Sequence, residues 1–94
     1  MPRLVSARKR MRQNETRRIR NRTLKSRIRS ARRAFLAAVA ANDSELARQQ
    51  LHVCEKLLHR AANKGPIHRK TAGRVIGRLR KRLAGLQQAA NAAP

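Results

Sequence analysis

The chain has 94 residues, with 25 Lys and Arg against 4 Asp and Glu, and a formal net charge of +21. Sixteen of its apolar residues are alanine, so the remaining large apolar side chains build a thin core, and self-repulsion at this charge opposes compaction. We therefore expect one domain over residues 1–94. These features argue against a deep-pocketed enzyme and for a protein that a polyanion completes.

Several other classes are excluded by simple counts. The sequence has no run of 18 apolar residues, which predicts no membrane-spanning helix, and its start has no apolar segment typical of a secretory signal. The single cysteine, Cys54, cannot form an internal disulfide, which fits a reducing compartment. Tyr and Trp are absent and Phe35 is the only aromatic residue. Nucleic acid would therefore be bound through phosphates and shape rather than through stacked bases.

The first two predicted helices lie in a long segment without strong helix breakers. No Gly or Pro occurs from residue 3 to residue 64, and most residues there favour helix. We predict a first helix over residues 6–41. A weak break follows, at which Asn42 is expected to cap a second helix over 43–63, with Glu45 closing a capping box.

A stronger stop precedes the third helix. Gly65 occupies a helix C-cap position and Pro66 follows it. We predict a third helix over residues 68–86, and a frayed, alanine-rich tail over 87–94. Gly73 and Gly77 lie inside this helix, where they either allow another backbone to approach closely or are simply tolerated.

Apolar residues recur at steps of three and four in each helix, which is typical of the buried face of a bundle. The stripes are Leu24, Ile28, Ala31, Phe35 and Ala38; then Ala47, Leu51, Cys54, Leu58 and Ala61; then Ala72, Ile76, Leu79, Leu83 and Leu86. We predict an all-α three-helix bundle with a long, overhanging basic N-terminal helix. The first stripe begins only at Leu24, so the helix should project by about 20 to 25 Å. Without a core, residues 6–23 are expected to gain helix only with a partner.

The basic residues are concentrated at the N-terminus. Residues 3–33 hold 14 of the 25 basic residues and one acid, Glu15. The second helix is nearly balanced in charge, and the third has seven basic residues and no acid. We therefore expect the first and third helices to face the polyanion and the second to face water. Nineteen of the basic residues are arginine, which binds phosphate through two parallel hydrogen bonds.

Other chemistry has weak support in this sequence. His52, Glu55 and His59 lie along one helix with Cys54 between them, but one helix rarely supplies a complete zinc site. A Cys–His nucleophile would lack an orienting third group, and we expect Cys54 to be a small core residue. We predict no enzyme activity, no cofactor, no metal and no small-molecule substrate.

Three segments resemble the bacterial ribosomal protein S twenty family. They are SARKRMRQNE at residues 6–15, NRTLKS at 21–26 and AANKGPIHRKTA at 61–72. The resemblance covers about residues 4–86, and the three segments are specific in combination. One departure is Asn42, which stands where the family usually has glycine. Asn also tolerates the left-handed conformation, so the turn is expected to survive.

The resemblance implies a structural constituent of the small ribosomal subunit that binds small-subunit ribosomal RNA directly and helps its assembly. It implies a cytoplasmic, ribosome-bound protein whose partners are this RNA and neighbouring ribosomal components, with no membrane partner and no homo-oligomer. The implied RNA contacts are Arg8, Lys9, Arg10, Arg12, Gln13, Arg17, Arg18, Asn21, Lys25, Ser26, Arg29, Lys64, Gly65, His68, Arg69, Lys70, Thr71 and Arg74.

Two further hypotheses fit the composition. A histone-like DNA-compacting protein would show equal affinity for duplex DNA and ribosomal RNA, although no exposed apolar wedge for the minor groove is evident. A membrane-active or organelle-targeting basic helix would need an apolar face, which the first 23 residues lack, and would not explain the basic third helix.

Overall fold

The computed structural model consists of three helices joined by two short turns, and it describes residues 2–92, with side chains described for residues 4–89. The helices are α1 (Pro2–Ala40), α2 (Ser44–Lys64) and α3 (Arg69–Ala92). No strand occurs within the described residues. The prediction of an all-α three-helix architecture with a long first helix is confirmed.

Two helix ends differ from the expected positions. α1 begins at Pro2 rather than at residue 6, because proline is tolerated in the first turn and the residues after it favour helix. α3 continues to Ala92 instead of fraying after Leu86. Its last residues are Gln, Ala and Asn, and no further Gly or Pro follows Gly85 until Pro94. Residues 93–94 of the expected tail lie outside the described residues.

The turn between α1 and α2 is closed by backbone hydrogen bonds. Asn42 has a left-handed φ of 57°. Its N–H donates to the carbonyl of Val39 at 3.0 Å, and the N–H of Asp43 donates to the carbonyl of Ala38 at 3.0 Å. This pattern is a Schellman motif, in which Asn42 takes the position that glycine usually occupies.

Asp43, not Asn42, caps α2. Its side chain accepts a hydrogen bond from the N–H of Leu46 at 3.1 Å. The predicted cap at Asn42 was wrong because that residue is needed to end α1 in the left-handed region, where it cannot also begin the next helix. Glu45 binds Arg48 at 2.8 Å, where the sequence had suggested a capping box.

Gly65 ends α2, as predicted. Its φ is 101°, and its N–H donates to the carbonyl of Ala61 at 2.9 Å. The other glycines considered from the sequence behave differently. A Cβ added to Gly73 or Gly77 would meet nothing within 4 Å. The structure therefore favours simple tolerance of these two glycines over close packing against another protein backbone.

The core is formed by the predicted stripes. The buried apolar residues all belong to them, and Phe35, Ala47, Cys54 and Ala61 are fully buried. Leu86, the last predicted member, is half-buried and packs against the same core. The stripes were predictable because each continues for three or four turns without an interrupting charge.

α2 lies between the other two helices and packs against both, whereas α1 and α3 touch over a narrow contact. The molecule is long and thin, measuring 76 × 21 × 13 Å. Its length exceeds the roughly 58 Å of the 39-residue α1. Leu86 still packs on the core near the end of α1, so the residues of α3 beyond it extend past that end.

At the other end, α1 projects from the bundle. Every described side chain from residue 4 to residue 20 is exposed, and Leu24 is the first buried residue. Lys64, the last residue of α2, lies beside Arg17 and Asn21. Residues 2–16 therefore continue without a helical neighbour for about 22 Å, in agreement with the expected overhang. We call residues 2–16 the α1 extension.

Candidate nucleic-acid interface

The residues expected to contact RNA form two groups in the structure. One follows α1 from Arg8 to Arg29, and the other runs from Lys64 at the end of α2 to Arg74 in α3. All of them are exposed except Asn21, which is half-buried. They are accessible because the apolar stripe of each helix faces the bundle and leaves the polar positions outside.

The fold brings parts of these two groups together. Leu24 of α1, Ala61 of α2 and Ala72 of α3 share one core cluster, so the start of α3 lies at the same end of the bundle as Leu24. At this end Lys64 and Asn21 line a common cavity of about 330 Å³ with Arg17 and Arg20. Arg8, Lys9 and Arg10 are not part of this arrangement, because they lie on the α1 extension.

A neighbouring cleft lies where α1 leaves the bundle, and we call it the Lys64 cleft. It has a volume of about 300 Å³. Its basic residues are Arg20, Arg27, Arg60 and Lys64, and its uncharged residues are Ile19, Asn21, Thr23 and Leu24. No acidic residue lines it. Several cations held close together without an acid make a favourable place for a phosphate group.

Few of the basic residues have an acidic partner. Within the described side chains there are three ion pairs, Arg18–Glu15 at 3.0 Å, Arg48–Glu45 at 2.8 Å and Arg80–Glu55 at 2.6 Å. Only Arg18 among these belongs to the expected RNA contacts. The other expected basic contacts are thus available for an external anion. The hydrogen bond and charge of Glu55 raise the pKa of Arg80, whose charge is already permanent.

His68 has a defined orientation at the start of α3. Its Nδ1 accepts a hydrogen bond from the N–H of Lys70 at 3.1 Å, and its carbonyl accepts from the N–H of Ala72 at 3.0 Å. A histidine that accepts at Nδ1 keeps Nε2–H as a donor. The exposed N-terminus of α3 favours anions for the same reason as other helix N-termini, and Nε2–H adds one donor there.

Three arginines of this interface were missed in the sequence. Arg20 and Arg27 were counted as part of the basic run but not as contacts, and Arg60 was assigned to a helix facing water. The seven-residue step from Arg20 to Arg27, which places both on one face of α1, was a usable signal. For Arg60 no local signal exists, because its position beside α1 depends on how α2 packs.

Within the described residues, the structure does not support a reactive cysteine, a metal site or a membrane-spanning helix. Cys54 is fully buried, and burial raises the pKa of its thiol above the ordinary value, so the reactive thiolate is disfavoured. Its prediction as a core residue is confirmed. No three metal-ligating side chains lie together within the part of the chain that the structure describes. None of its described helices is both long and apolar enough to cross a membrane.

Comparison with known proteins agrees with this geometry. The family model described as Ribosomal protein S20 matches residues 2–84. The chain belongs to this family. It is therefore a ribosomal protein with a structural role rather than an enzyme, and the resemblance found in the sequence is confirmed.

Curated relatives cover most of the chain and most of their own length. A protein of Halalkalibacterium halodurans is 47% identical over 83 residues, which is 88% of this chain and 91% of that protein. A protein of Syntrophobacter fumaroxidans is 43% identical over 86% of this chain and 94% of its own length. A protein of Rhodopirellula baltica is 42% identical over 96% and 100%. Each relative is named small ribosomal subunit protein bS20.

Proposed function

We propose that this protein binds small-subunit ribosomal RNA directly, through phosphate and shape contacts, and helps the RNA to assemble. The observation that carries the proposal is the composition of one face of α1. Leu24, Ala31 and Ala38 recur at seven-residue steps and are buried in the bundle. The same steps, continued toward the N-terminus, reach Arg17 and Arg10, and both are exposed.

A parallel series of positions changes in the same way. Ile28 and Phe35 are buried, whereas the preceding positions at seven-residue steps are Asn21 and Asn14. The helix face that packs on protein after Leu24 therefore becomes polar and basic before it. Because the helix itself continues, this face is suited to pack on a polyanion where the protein core ends.

The α1 extension is the part that would bridge RNA segments. From Arg8 to Arg22, α1 carries basic residues around its whole circumference, with Glu15 paired to Arg18. A helix lying on one flat anionic surface needs charge on one side only, whereas a helix between several phosphate backbones needs it on all sides. We therefore infer that the extension lies between RNA segments and reduces the repulsion among their phosphates.

The second group of expected contacts, from Lys64 to Arg74, would bind RNA where the α1 extension leaves the bundle. Lys64, His68 and Arg69 lie at the same end of the bundle as Asn21. We infer that the protein acts as a monomer in the cytoplasm, bound to the ribosome beside other ribosomal components. The RNA then replaces the missing helical neighbours of α1.

The experiment that tests this function is a competition across a salt series. Binding to small-subunit ribosomal RNA is compared with binding to duplex DNA of equal phosphate count. We expect a preference for the RNA of about 100-fold or more, retained at about 200 mM salt, since generic phosphate binding weakens steeply with salt.

Equal affinities with equal salt slopes would overturn the proposal. That result would describe a non-specific polycation and would favour the DNA-compacting alternative. A salt-resistant preference restricted to the RNA would exclude that alternative, because net charge alone does not distinguish two nucleic acids of equal phosphate count.

A further inference from the structure

The Lys64 cleft combines features that a simple phosphate site does not need. Four cations surround it, but part of its lining is apolar. Ile19 is 56% exposed there, although it lies outside the core stripe. A phosphate gains nothing from an apolar surface, whereas a nucleobase or a ribose does.

The apolar part of the cleft is formed by side chains of α1. The hydroxyl of Thr23 donates a hydrogen bond to the carbonyl of Ile19 at 2.9 Å, which leaves the methyl group as the free end of this side chain. Ile19 lies one turn before Thr23 on the same face of α1, and both line the cleft. These two side chains form a small apolar patch on α1 at the edge of the cleft.

A polar group on the other flank of the cleft has no hydrogen-bond partner among the described residues. The side-chain amide of Asn21 is half-buried in the cleft. It takes part in none of the side-chain hydrogen bonds found among residues 4–89. An amide offers a donor and an acceptor side by side, and both can bind the ribose and phosphate groups of an RNA strand.

The cations suit the remainder of a nucleotide. Arg27 comes from α1, and Arg60 and Lys64 come from α2, so they reach the cleft from different helices. Neither arginine forms an ion pair in the described structure. A guanidinium group binds phosphate through its edge and stacks on a base through its plane.

We propose that the Lys64 cleft holds one unpaired nucleotide of the bound RNA. Its base lies against Ile19 and Thr23, and its phosphate is bound by Arg27, Arg60 and Lys64. The volume of about 300 Å³ is at the lower end of the range for small-molecule sites, so it fits one nucleotide. This inference rests on the proposed RNA binding and gives that interface a base-accepting site in a protein with one aromatic residue.

The test uses two RNA hairpins with the same number of phosphates. One carries a single bulged adenosine, and the other carries an abasic ribose at the same position. We expect the protein to bind the adenosine hairpin at least about fivefold more tightly, because its base buries apolar surface against Ile19 that the abasic ribose does not bury.

Matched variants separate the base from the phosphate. Ile19→Ala should reduce the difference between the two hairpins to less than about twofold, because it removes most of the apolar surface that contacts the base. Met11→Ala, which alters an apolar residue that is 69% exposed on the same helix, should leave the difference intact. Arg60→Gln should weaken binding of both hairpins, whereas Arg48→Gln should change neither.

Equal binding of the two hairpins by the unaltered protein would overturn the inference. So would a base preference that Ile19→Ala leaves unchanged. In either case a retained preference for small-subunit ribosomal RNA over DNA would leave the proposed function standing.

A second arm identifies the source of the nucleotide. Adenosine monophosphate and ribose 5-phosphate are titrated separately into the labelled protein, and the NMR signals of the Asn21 side-chain amide are followed. A preference for the base with the bulged RNA supports the site in RNA. A base preference with the free nucleotide and none with the hairpins would overturn the assignment to RNA.

Discussion

Two residues with left-handed backbone set the turns of this molecule. Asn42 ends α1 and Gly65 ends α2, with φ angles of 57° and 101°. Each closes its helix through backbone hydrogen bonds, so each turn is short and returns the chain beside the preceding helix. Left-handed backbone is available to Asn at some cost and to Gly at almost none.

Replacing glycine by alanine should have opposite effects on the free energy of unfolding at Gly65 and at Gly73. Gly65→Ala should lower the free energy of unfolding by about 1–2 kcal/mol, because alanine is strained in the left-handed region. Gly73→Ala should raise it by about 0.5–1 kcal/mol, since the added methyl meets no atom within 4 Å and alanine favours helix. Chemical denaturation of the two variants measures both. Destabilisation by Gly73→Ala would contradict the open surroundings found here.

Phe35 is the largest fully buried side chain. Phe35→Ala should reduce the free energy of unfolding by about 3–5 kcal/mol, because it removes a buried ring and leaves a cavity. For a domain of this size that loss is a large part of the whole stability. Leu36→Ala is the matched control, as Leu36 is 37% exposed on the same helix and should cost much less. Similar losses in thermal denaturation of the two variants would contradict the assigned core.

At the scale of single elements, α1 contains two physically different parts. From Leu24 onward it is held by apolar contacts with α2 and α3. The α1 extension has exposed side chains throughout its described part and no neighbouring helix. Isolated helices of about 15 residues are marginal in water, so only intrinsic propensity supports this part in the free protein.

Amide hydrogen exchange should show this division. In the free protein we expect weak protection over residues 6–16 and strong protection around Phe35. With RNA bound, protection should rise in the first segment. The expectation from the sequence placed this boundary at residue 23, but the structure packs Lys64 beside Asn21 and moves it toward the N-terminus. Strong protection of residues 6–16 without RNA would refute folding on binding.

Reversing the charge of arginines on α1 and on α2 should affect RNA binding differently. Reversing Arg10 and Arg17 to Glu should weaken RNA binding by a large factor. Both lie on the face of α1 that continues the buried stripe toward the N-terminus. Arg48→Glu should have a small effect, since Arg48 pairs with Glu45 on the exposed side of α2. Filter binding at constant salt compares them. Equal losses per reversed charge would mean that the charge acts only in bulk.

At the scale of the whole molecule, charge and shape act together. The radius of gyration is 18.5 Å, whereas a compact domain of this length has about 12 Å. The net charge of +21 is spread over this elongated form and already counts the glutamates of the three ion pairs within the described side chains, so these pairs do not lower it. The stability of the free protein is therefore limited by self-repulsion as well as by its thin core.

The melting temperature of the free protein should consequently rise with salt. Raising sodium chloride from about 20 to 200 mM shortens the screening length to less than about 10 Å and weakens the repulsion. A gain of about 1 kcal/mol would raise the melting temperature by about 4–8 °C, which circular dichroism measures. A fall with salt would show that the surface ion pairs outweigh the repulsion.

The sequence by itself determined the three helices, their buried stripes and the basic character of α1. These features are local, because helix propensity, the Gly65 cap and the spacing of Leu24, Ile28 and Phe35 act within a few turns of one helix. It also gave the overhang, which follows from the absence of an apolar stripe before Leu24. The cap at Asp43 was harder to predict, because Asn42 and Asp43 both suit that position.

Only the tertiary structure decided that α2 lies between the other helices and that its last turn joins the proposed RNA interface. The sequence places Arg60 on a helix of nearly balanced charge, which favoured a face toward water. The balance of charge over the whole helix does not say which side of the helix each charge occupies once the apolar stripe is buried. Arg60 and Arg27 meet at the Lys64 cleft because the register between two helices distant in sequence is set by core packing.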